Sequence, residues 1–257
     1  MAIHPTAIVD PTAEIGEGVE IGPYSIIGPR VSIGADTWVG PHVVINGPTR
    51  IGAENRIFQF ASIGEIPQDK KFAEDDSRLE IGDRNTIREY ATINRGTELG
   101  GGVTRVGDDN WLMAYIHIAH DCIVGNGTIF ANNASLAGHA QVDDHAILGG
   151  FTLVHQFCLI GRHAFCAMGS AITKDVPPFI MISGAPAHPH GINQEGLRRH
   201  GFDNEAIANI RRIYKLIYRS GATLDEVKKA LEVRAHNDEE AAVFYDFLQR
   251  SQRSIIR

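Results

Sequence analysis

The chain has 257 residues and a formal net charge of −7, room for one or two domains with a full core and a poor charge balance for a general nucleic-acid binder. The three cysteines, Cys122, Cys158 and Cys166, form no CxxC pair, which argues against a disulfide scaffold or a zinc ribbon; small core residues in a reducing compartment are expected instead. The N-terminal Met-Ala-Ile-His-Pro-Thr has neither a basic nor an apolar leader segment, and no apolar run approaches the roughly 18 residues of a membrane span, so the expectation is a cytoplasmic protein without an integral membrane segment.

A six-residue beat starts at Ile3 and continues through Val9, Ile15, Ile21, Ile27, Ile33, Val39, Ile45, Ile51, Ile57 and Ile63. It resumes at Ile81, Ile87 and Ile93, and again from Val106 through Leu112, Ile118, Val124, Phe130, Leu136, Val142, Leu148, Val154, Ile160 and Cys166 to Ile172. Four residues after the beat the side chain is small or β-branched, as at Ala7, Ala13, Ser25, Thr37, Ala61, Ala134, Ala146 and Ala164. Gly16, Gly22, Gly34, Gly52, Gly82 and Gly161 directly follow it. Neither a 3.6 nor a 2.0 period explains this pattern; short strands separated by sharp corners do. The aliphatic residue points inward, the small one fills a tight inner position, and the glycine is expected to let the backbone turn. Three hexads close one triangular coil, and coils stack at about 4.8 Å as a parallel β-helix.

Two stretches break the beat. Glu65–Arg78 has Asp69 and Asp75 at beat positions and must leave the wall as a loop; Gly96–Arg105, with Gly100, Gly101 and Gly102, must do the same. Loops on a rigid scaffold are where binding groups concentrate. The repeats end at Asp175-Val-Pro-Pro, and a turn-rich stretch leads to helices. Asp203 can cap a helix over Asn204–Tyr218, with Ile207, Ile210, Ile213, Leu216 and Ile217 on one face; Thr223 and Glu226 form a capping box, and a third helix covers roughly Asp238–Gln252. The division is therefore a β-helix over residues 1–190, with loops at 65–78 and 96–105, and a helical domain over 191–257 that caps the open end of the coil. The last part is the basic one: residues 190–257 carry 12 Lys+Arg against 10 Asp+Glu, whereas residues 1–189 carry 12 against 21. Arg198, Arg199, Arg211, Arg212, Lys215 and Arg219 could dock an acidic partner or form a solvated helix face.

Twelve histidines stand in this acidic chain, six of them at His117, His120, His139, His145, His155 and His163. The unbroken phase from Val106 to Ile172 stacks residues 18 apart, so His120, Gly138 and Gln156 form a column, flanked by His139 and His155. His120 is third in its hexad and projects outward beside Asp121. An imidazole oriented by a carboxylate is a general base, and an amide of the Ala137-Gly138-His139 corner could bind an oxyanion. Spacing alone leaves open whether these are simply polar residues at outward positions. It also leaves His117-x-x-His120 open as two ligands of a zinc site, although no third ligand follows at a matching spacing. A non-catalytic scaffold would not need the column.

The HIAHDC run at 117–122, Asn132-Asn-Ala-Ser-Leu-Ala-Gly-His at 132–139, VHQF at 154–157, QDKKF at 68–72, NQEGLRR at 193–199 and YKLIYRSG at 214–221, set on the hexapeptide beat, together resemble the UDP-N-acetylglucosamine O-acyltransferase family over nearly the whole chain. The resemblance implies a left-handed coil and a homotrimer with sites between subunits. It implies transfer of an (R)-3-hydroxyacyl group from acyl carrier protein to the 3-hydroxyl of UDP-N-acetylglucosamine, the first step of lipid A biosynthesis. No metal and no free cofactor are implied, because phosphopantetheine arrives on the carrier. Residue by residue, it makes His120 the general base, Asp121 its orienting partner and the Gly138 amide the oxyanion donor. His117, His139, His155 and Gln156 become substrate contacts, Asp69 and Lys71 loop contacts, and Asn193, Glu195 and Arg199 the nucleotide side. The basic tail acquires the acidic carrier protein as its partner. Met168 aligns with the acyl-length ruler, and a thioether there implies a medium-length chain near hydroxydecanoyl. Three positions depart from the family pattern: Asn94 stands where histidine is frequent, His200 replaces a second arginine, and Gly184-Ala-Pro-Ala replaces Gly-Asn-x-Ala. A related acceptor with a 3-amino group, tuned by Asn94, stays open.

Overall fold

The computed structural model describes residues 2–73 and 76–257; the beat position Asp75 lies outside them. Strands of two to five residues wind into three faces of 11, 9 and 8 strands. The first face runs from Ala2–Ile3 to His188–Ile192, the second from Ile8–Val9 to Ala171–Ile172, and the third from Glu14–Ile15 to Leu159–Ile160. Ile3 pairs with Ile21, Val9 with Ile27 and Ile15 with Ile33, all in parallel, so three hexads do close one coil. The fold is a left-handed parallel β-helix followed by α-helices.

Every beat residue from Ile21 to Ile172 is buried in one continuous core, whereas Ile3 is 40% exposed because no coil lies beneath the first. Ser25, Thr37, Ala61, Ala134, Ala146 and Ala164 fill the inner corner position. Cys122 and Cys158 occupy the same position and Cys166 a beat position, all buried and free. Burial pushes their thiols up to about 12, about 11 and about 12 respectively, so all three stay protonated and inert. One inner corner is polar: the backbone amides of Asn55, Asn85, Asn110 and Thr128 each donate to the side-chain oxygen of the corner residue one coil below, which keeps these buried groups paired.

The glycines do not work as expected. The residue with positive φ at each corner is usually not glycine but the third after the beat, as at Tyr24, Asp36, His42, Glu54, Arg84, His139 and His163. That conformation costs a non-glycine residue about 1–2 kcal/mol. The compensation is visible: the amides of Asp36, His42, Glu54, Arg84, His139 and His163 each donate to a carbonyl of the coil below. Gly16, Gly22, Gly34, Gly52, Gly82 and Gly161, just after the beat, lack positive φ and are needed for a different reason. A Cβ on Gly34 would stand 2.5 Å from the carbonyl carbon of Gly52, and one on Gly161 would stand 2.4 Å or more from Pro178. Close coil-to-coil approach, not turning freedom, selects them.

Both breaks in the beat are insertions at a single corner, between the second and third faces. Ile51 pairs with Ile81, 30 positions on instead of 18, so 12 residues are inserted in that coil. Ile81 pairs with Val106, 25 positions on, so 7 are inserted in the next. Although Ile63 to Ile81 has the length of a coil, it makes a single face-to-face step. The flanking strands Ser62–Glu65, Arg78–Ile81 and Val103–Val106 stay in the wall, and the two loops emerge one above the other.

Beyond Pro177 an antiparallel pair, Ile180–Ser183 with His188–Ile192, ends the first face. Four helices follow: α1 (Gln194–Arg199), α2 (Asn204–Arg219), α3 (Leu224–Ala235) and α4 (Glu239–Arg250). α1 lies in the stretch read as turns; six residues are too few to show a hydrophobic period. α2 starts at its expected cap, Asp203, and buries Ile207, Ile210, Ile213, Tyr214 and Ile217. Thr223 and Glu226 make both bonds of the capping box of α3. The tail closes the last coil: Ile255 bridges to Asp175, and Arg250 holds Asp143 through two hydrogen bonds, at 3.0 and 2.6 Å.

The two corner residues make opposite predictions. Gly34→Ala forces backbone apart and should cost about 3 kcal/mol, lowering the thermal midpoint by about 6 °C or more. Glu54→Gly removes left-handed strain at an exposed side chain, so its midpoint should stay within about 2 °C of wild type or rise. Thermal unfolding followed by circular dichroism measures both.

Candidate active site

The corner that carries both loops also carries the His120 column in the next coils, and together they enclose a cavity of about 580 Å³. Asp69, Lys71 and Phe72 come from the first loop, Thr97 and Leu99 from the second, and His117, His120, His139, Gln156 and Phe157 from the wall. The hexapeptide register builds the wall part: His117 pairs with Ser135 and Ser135 with Leu153, which puts His120, Gly138 and Gln156 directly above one another.

His120 Nδ1 lies 2.8 Å from Asp121 Oδ2, and the Asp121 side chain is 1% exposed. Three further hydrogen bonds hold Asp121. The Thr97 amide donates to Oδ1 at 2.8 Å, the Thr97 hydroxyl donates to Oδ2 at 2.7 Å, and the Asp121 amide donates to the Thr104 hydroxyl at 2.8 Å. Both carboxylate oxygens already accept from Thr97, so His120 Nδ1 is the donor in its contact with Oδ2, which leaves Nε2 as the basic nitrogen. Nε2 has no hydrogen-bond partner among the described residues.

Gly138 is required by contact: a Cβ there would meet the His120 ring at 2.6 Å. The amides on either side are paired, Ala137 with the Val154 carbonyl and His139 with that of His120, whereas the Gly138 amide has no acceptor among the described residues. His139 stacks on Phe157 at 4.4 Å and meets the His120 ring edge-on at 5.2 Å. Burial lowers the imidazole of His139, partly opposed by Asp121, and burial lowers that of His117, reinforced by His120. Thr92 Oγ1 fixes the His117 ring through Nδ1 at 2.8 Å. His120, Asp121 and His139 have the types and spacing to hold a cation, with ligand-capable atoms within 4.8 Å of one another. In the arrangement described, however, Asp121 Oδ2 already accepts from Thr97 and His120.

Of the residues expected to act, the single chain brings Asp69, Lys71, His117, His120, His139 and Gln156 to the cavity, with Asp121 behind His120. His155 is exposed beside Gln156, its Nδ1 3.2 Å from the Gln156 carbonyl. The others are elsewhere. Met168 stands at the corner between the first and second faces, 79% exposed. Asn193 caps α1, accepting from the Gly196 amide and donating to the His163 carbonyl, at the corner between the third and first faces. Glu195 pairs with Arg198 at 2.9 Å, and Arg199 is exposed. The sequence reading missed Thr97 and Thr104. Thr97, in a glycine-rich loop, carries no periodic signal, and Thr104 lies in the stretch read as loop although the fold keeps it in the wall strand Val103–Val106; only the fold brings them to Asp121. Asn94, noted as a departure, is 3% exposed and lines the cavity; its Nδ2 donates to the Ile66 carbonyl at 2.8 Å, while its buried Oδ1 has no donor among the described residues.

Known proteins match the sequence and the fold over the whole chain. Residues 103–138 match the bacterial transferase hexapeptide model (six repeats), and residues 175–256 match the model of domain 2 of UDP-N-acetylglucosamine O-acyltransferase. The class is thus a hexapeptide-repeat acyltransferase. An acyl-[acyl-carrier-protein]–UDP-N-acetylglucosamine O-acyltransferase of Thiobacillus denitrificans is 61% identical over 255 residues, covering 99% of each chain. The structure of a homologue from Acinetobacter baumannii superposes with a TM-score of 0.97 at 48% identity over 100% of both chains. The UDP-N-acetylglucosamine acyltransferase of Francisella novicida gives 0.97 at 43% identity, over 99% of this chain and 94% of that one. The chain belongs to the UDP-N-acetylglucosamine O-acyltransferase family, and it is an enzyme. None of its helices is long and apolar enough to cross a membrane among the described residues.

The anchor of Asn193 has its own pH dependence. His163 is 4% exposed, packed against the rings of His145, His200, Phe179 and Phe202. Burial, reinforced by His145, His200 and Arg162 and opposed by Asp144, pushes its imidazole down to about 3. An unfolded histidine takes up a proton below about pH 6.5. The unfolded state therefore binds more protons between these values, and native stability falls as pH drops from about 6.5 towards 3. The thermal midpoint should fall from pH 7.5 to 5. It should fall less in His163→Phe, which has no proton to take up on unfolding; the corner accepts the ring, since phenylalanine occupies the same positive-φ position at 151, 157 and 179.

Proposed function

We propose that the cavity transfers an (R)-3-hydroxyacyl group from acyl carrier protein to the 3-hydroxyl of UDP-N-acetylglucosamine, the first step of lipid A biosynthesis. The observation that carries this reading is the buried Asp121–His120 pair, which leaves Nε2 basic and turned to a cavity of substrate size. Nε2 takes the proton of the sugar hydroxyl as its oxygen attacks the thioester carbonyl carbon. The negative charge that develops on the thioester oxygen is met by the unpaired Gly138 amide. Collapse breaks the carbon–sulfur bond, and the imidazolium returns its proton to the departing phosphopantetheine sulfur. The chemistry calls for neither a metal nor a resident cofactor.

His117, His139, His155, Gln156, Asp69 and Lys71 are assigned to substrate contact, because they lie in or beside this cavity. Asn193, Glu195, Arg199 and Met168 stand at the other two corners of the same chain. That distribution supports a homotrimer in which each site takes its base and loops from one subunit and its nucleotide and acyl-chain contacts from another. The basic residues of α2, Arg211, Arg212, Lys215 and Arg219, are the docking face assigned to the acidic carrier protein. The reading places the enzyme in the cytoplasm, where acyl carrier protein is found. A 3-amino sugar nucleotide is the second acceptor to compare, since Asn94, the departure from the family pattern, lines the cavity.

In an acyl-transfer assay with UDP-N-acetylglucosamine and hydroxyacyl carrier proteins, His120→Ala should lose at least about 10²-fold in turnover; near-normal turnover would reject the mechanism. Met168 should set a medium-chain preference near hydroxydecanoyl. A difference of one methylene in an apolar pocket is worth about 1–3 kcal/mol, so Met168→Gly should move the preference to longer chains by tenfold or more in relative kcat/KM. An unchanged chain-length series would remove the ruler role.

A further inference from the structure

We infer that Thr97, at the root of the second loop, is a positioning residue for acyl transfer: its hydroxyl and amide together hold the Asp121 carboxylate that orients His120. The inference rests on His120 being the base and deepens that reading.

Asp121 sits in the left-handed region, φ 60°, and its side chain points to the second loop, not to the cavity. Thr97 is 7% exposed, with extended backbone at φ −122° and ψ 153°, and it caps the one-turn 3-10 segment Glu98–Gly100. The cap fixes its hydroxyl. Thr97 Oγ1 accepts from the Gly100 amide at 3.1 Å, so its own proton is available for Asp121 Oδ2, at 2.7 Å. The Thr97 amide takes Oδ1. The turn then lies flat on the carboxylate, because Gly100 is placed where an added Cβ would collide with it. At its other end the same loop re-enters the wall at Thr104, whose hydroxyl accepts from the Asp121 amide. Thr97 in the inserted loop and Thr104 in the strand that follows thus hold Asp121 from two sides, and its side chain is 1% exposed. The loop that looks like a substrate flap is, at its root, the support of the base.

The hydroxyl also sets how strongly Asp121 holds the proton of His120. Oδ2 is shared between the Thr97 hydroxyl and His120 Nδ1. With the hydroxyl removed, the full acceptor strength of Oδ2 turns to His120 and stabilises the imidazolium. Deprotonation then needs a higher pH. The titratable groups that share the cavity with His120 are His117 and His139 on the wall and Asp69 and Lys71 on the first loop, and a substitution at Thr97 leaves these in place.

The test is the pH dependence of kcat/KM for Thr97→Val, Thr97→Ser and His120→Ala beside wild type, with the acyl donor saturating. Valine keeps the shape, favours extended backbone and retains the amide bond to Oδ1. Its acid limb should move to higher pH by about half a unit, and its plateau kcat should fall about tenfold. KM for the sugar nucleotide should change less than kcat. Thr97→Ser restores the hydroxyl and should return both the limb and kcat to near wild type. Wild-type kcat and acid limb in Thr97→Val, with His120→Ala inactive, would overturn the inference and leave the base intact. Equal impairment of the valine and serine variants would also overturn it, since the hydroxyl would then not be the cause. Normal turnover in His120→Ala would instead sink the underlying mechanism.

Discussion

Parallel pairing of each coil with the next is the constraint on which everything else depends. Val39 must lie against Ile57 and Ile57 against Ile87, at about the 4.8 Å strand spacing. At that spacing an inward side chain has no freedom, so beat residues are aliphatic and inner corner residues small. The backbone of Gly34 and Gly52 is so close that no Cβ fits between them. The chain can depart from the wall only at a corner, where strand pairing is interrupted. Both insertions use one corner, and they raise two loops without disturbing the strands on either side.

The same constraint makes the site rigid. His120, Asp121, Gly138 and His139 lie at corners of adjacent coils, and their backbone is held by bonds between coils, such as that from the His139 amide to the His120 carbonyl. Residues of this kind need little reorganisation when charge develops, which is where electrostatic stabilisation is most effective. The corner conformation has a cost, since Asp121 and His139 both adopt positive φ. The coil-to-coil bonds offset it, and the αL turn directs the Asp121 carboxylate sideways under the second loop while His120 faces the cavity.

The helical tail solves a different problem. A stack of coils ends in an exposed edge and an open core. The hairpin Ile180–Ser183 with His188–Ile192, the bridge from Asp175 to Ile255 and the buried face of α2 close it. In doing so they place Asn193, Glu195 and Arg199 against the corner occupied by His163, far around the coil from His120. One chain thus carries the residues expected to act at three separate corners, the distribution on which the proposed trimer rests.

The repeat, its phase, the two loops, the helix caps at Asp203 and Thr223, and the column of His120, Gly138 and Gln156 were legible in the residues, because a period of six is imposed locally, hexad by hexad. The role of the glycines was misread, because spacing shows that glycine recurs but not whether φ or crowding requires it. The short helix α1 was not legible, since six residues do not reveal a period. Nor was the grip of Thr97 and Thr104 on Asp121. Thr97, 24 positions from Asp121, lies in the inserted stretch where the phase is lost, and Thr104, 17 positions away, stands in the regular wall but within the stretch read as loop. The sequence by itself determined which residues face inward and which stack, because those follow from the repeat. Only the tertiary structure decided what the loops touch and which corner each site residue occupies, because insertions and the tail are placed by contacts that no local period encodes.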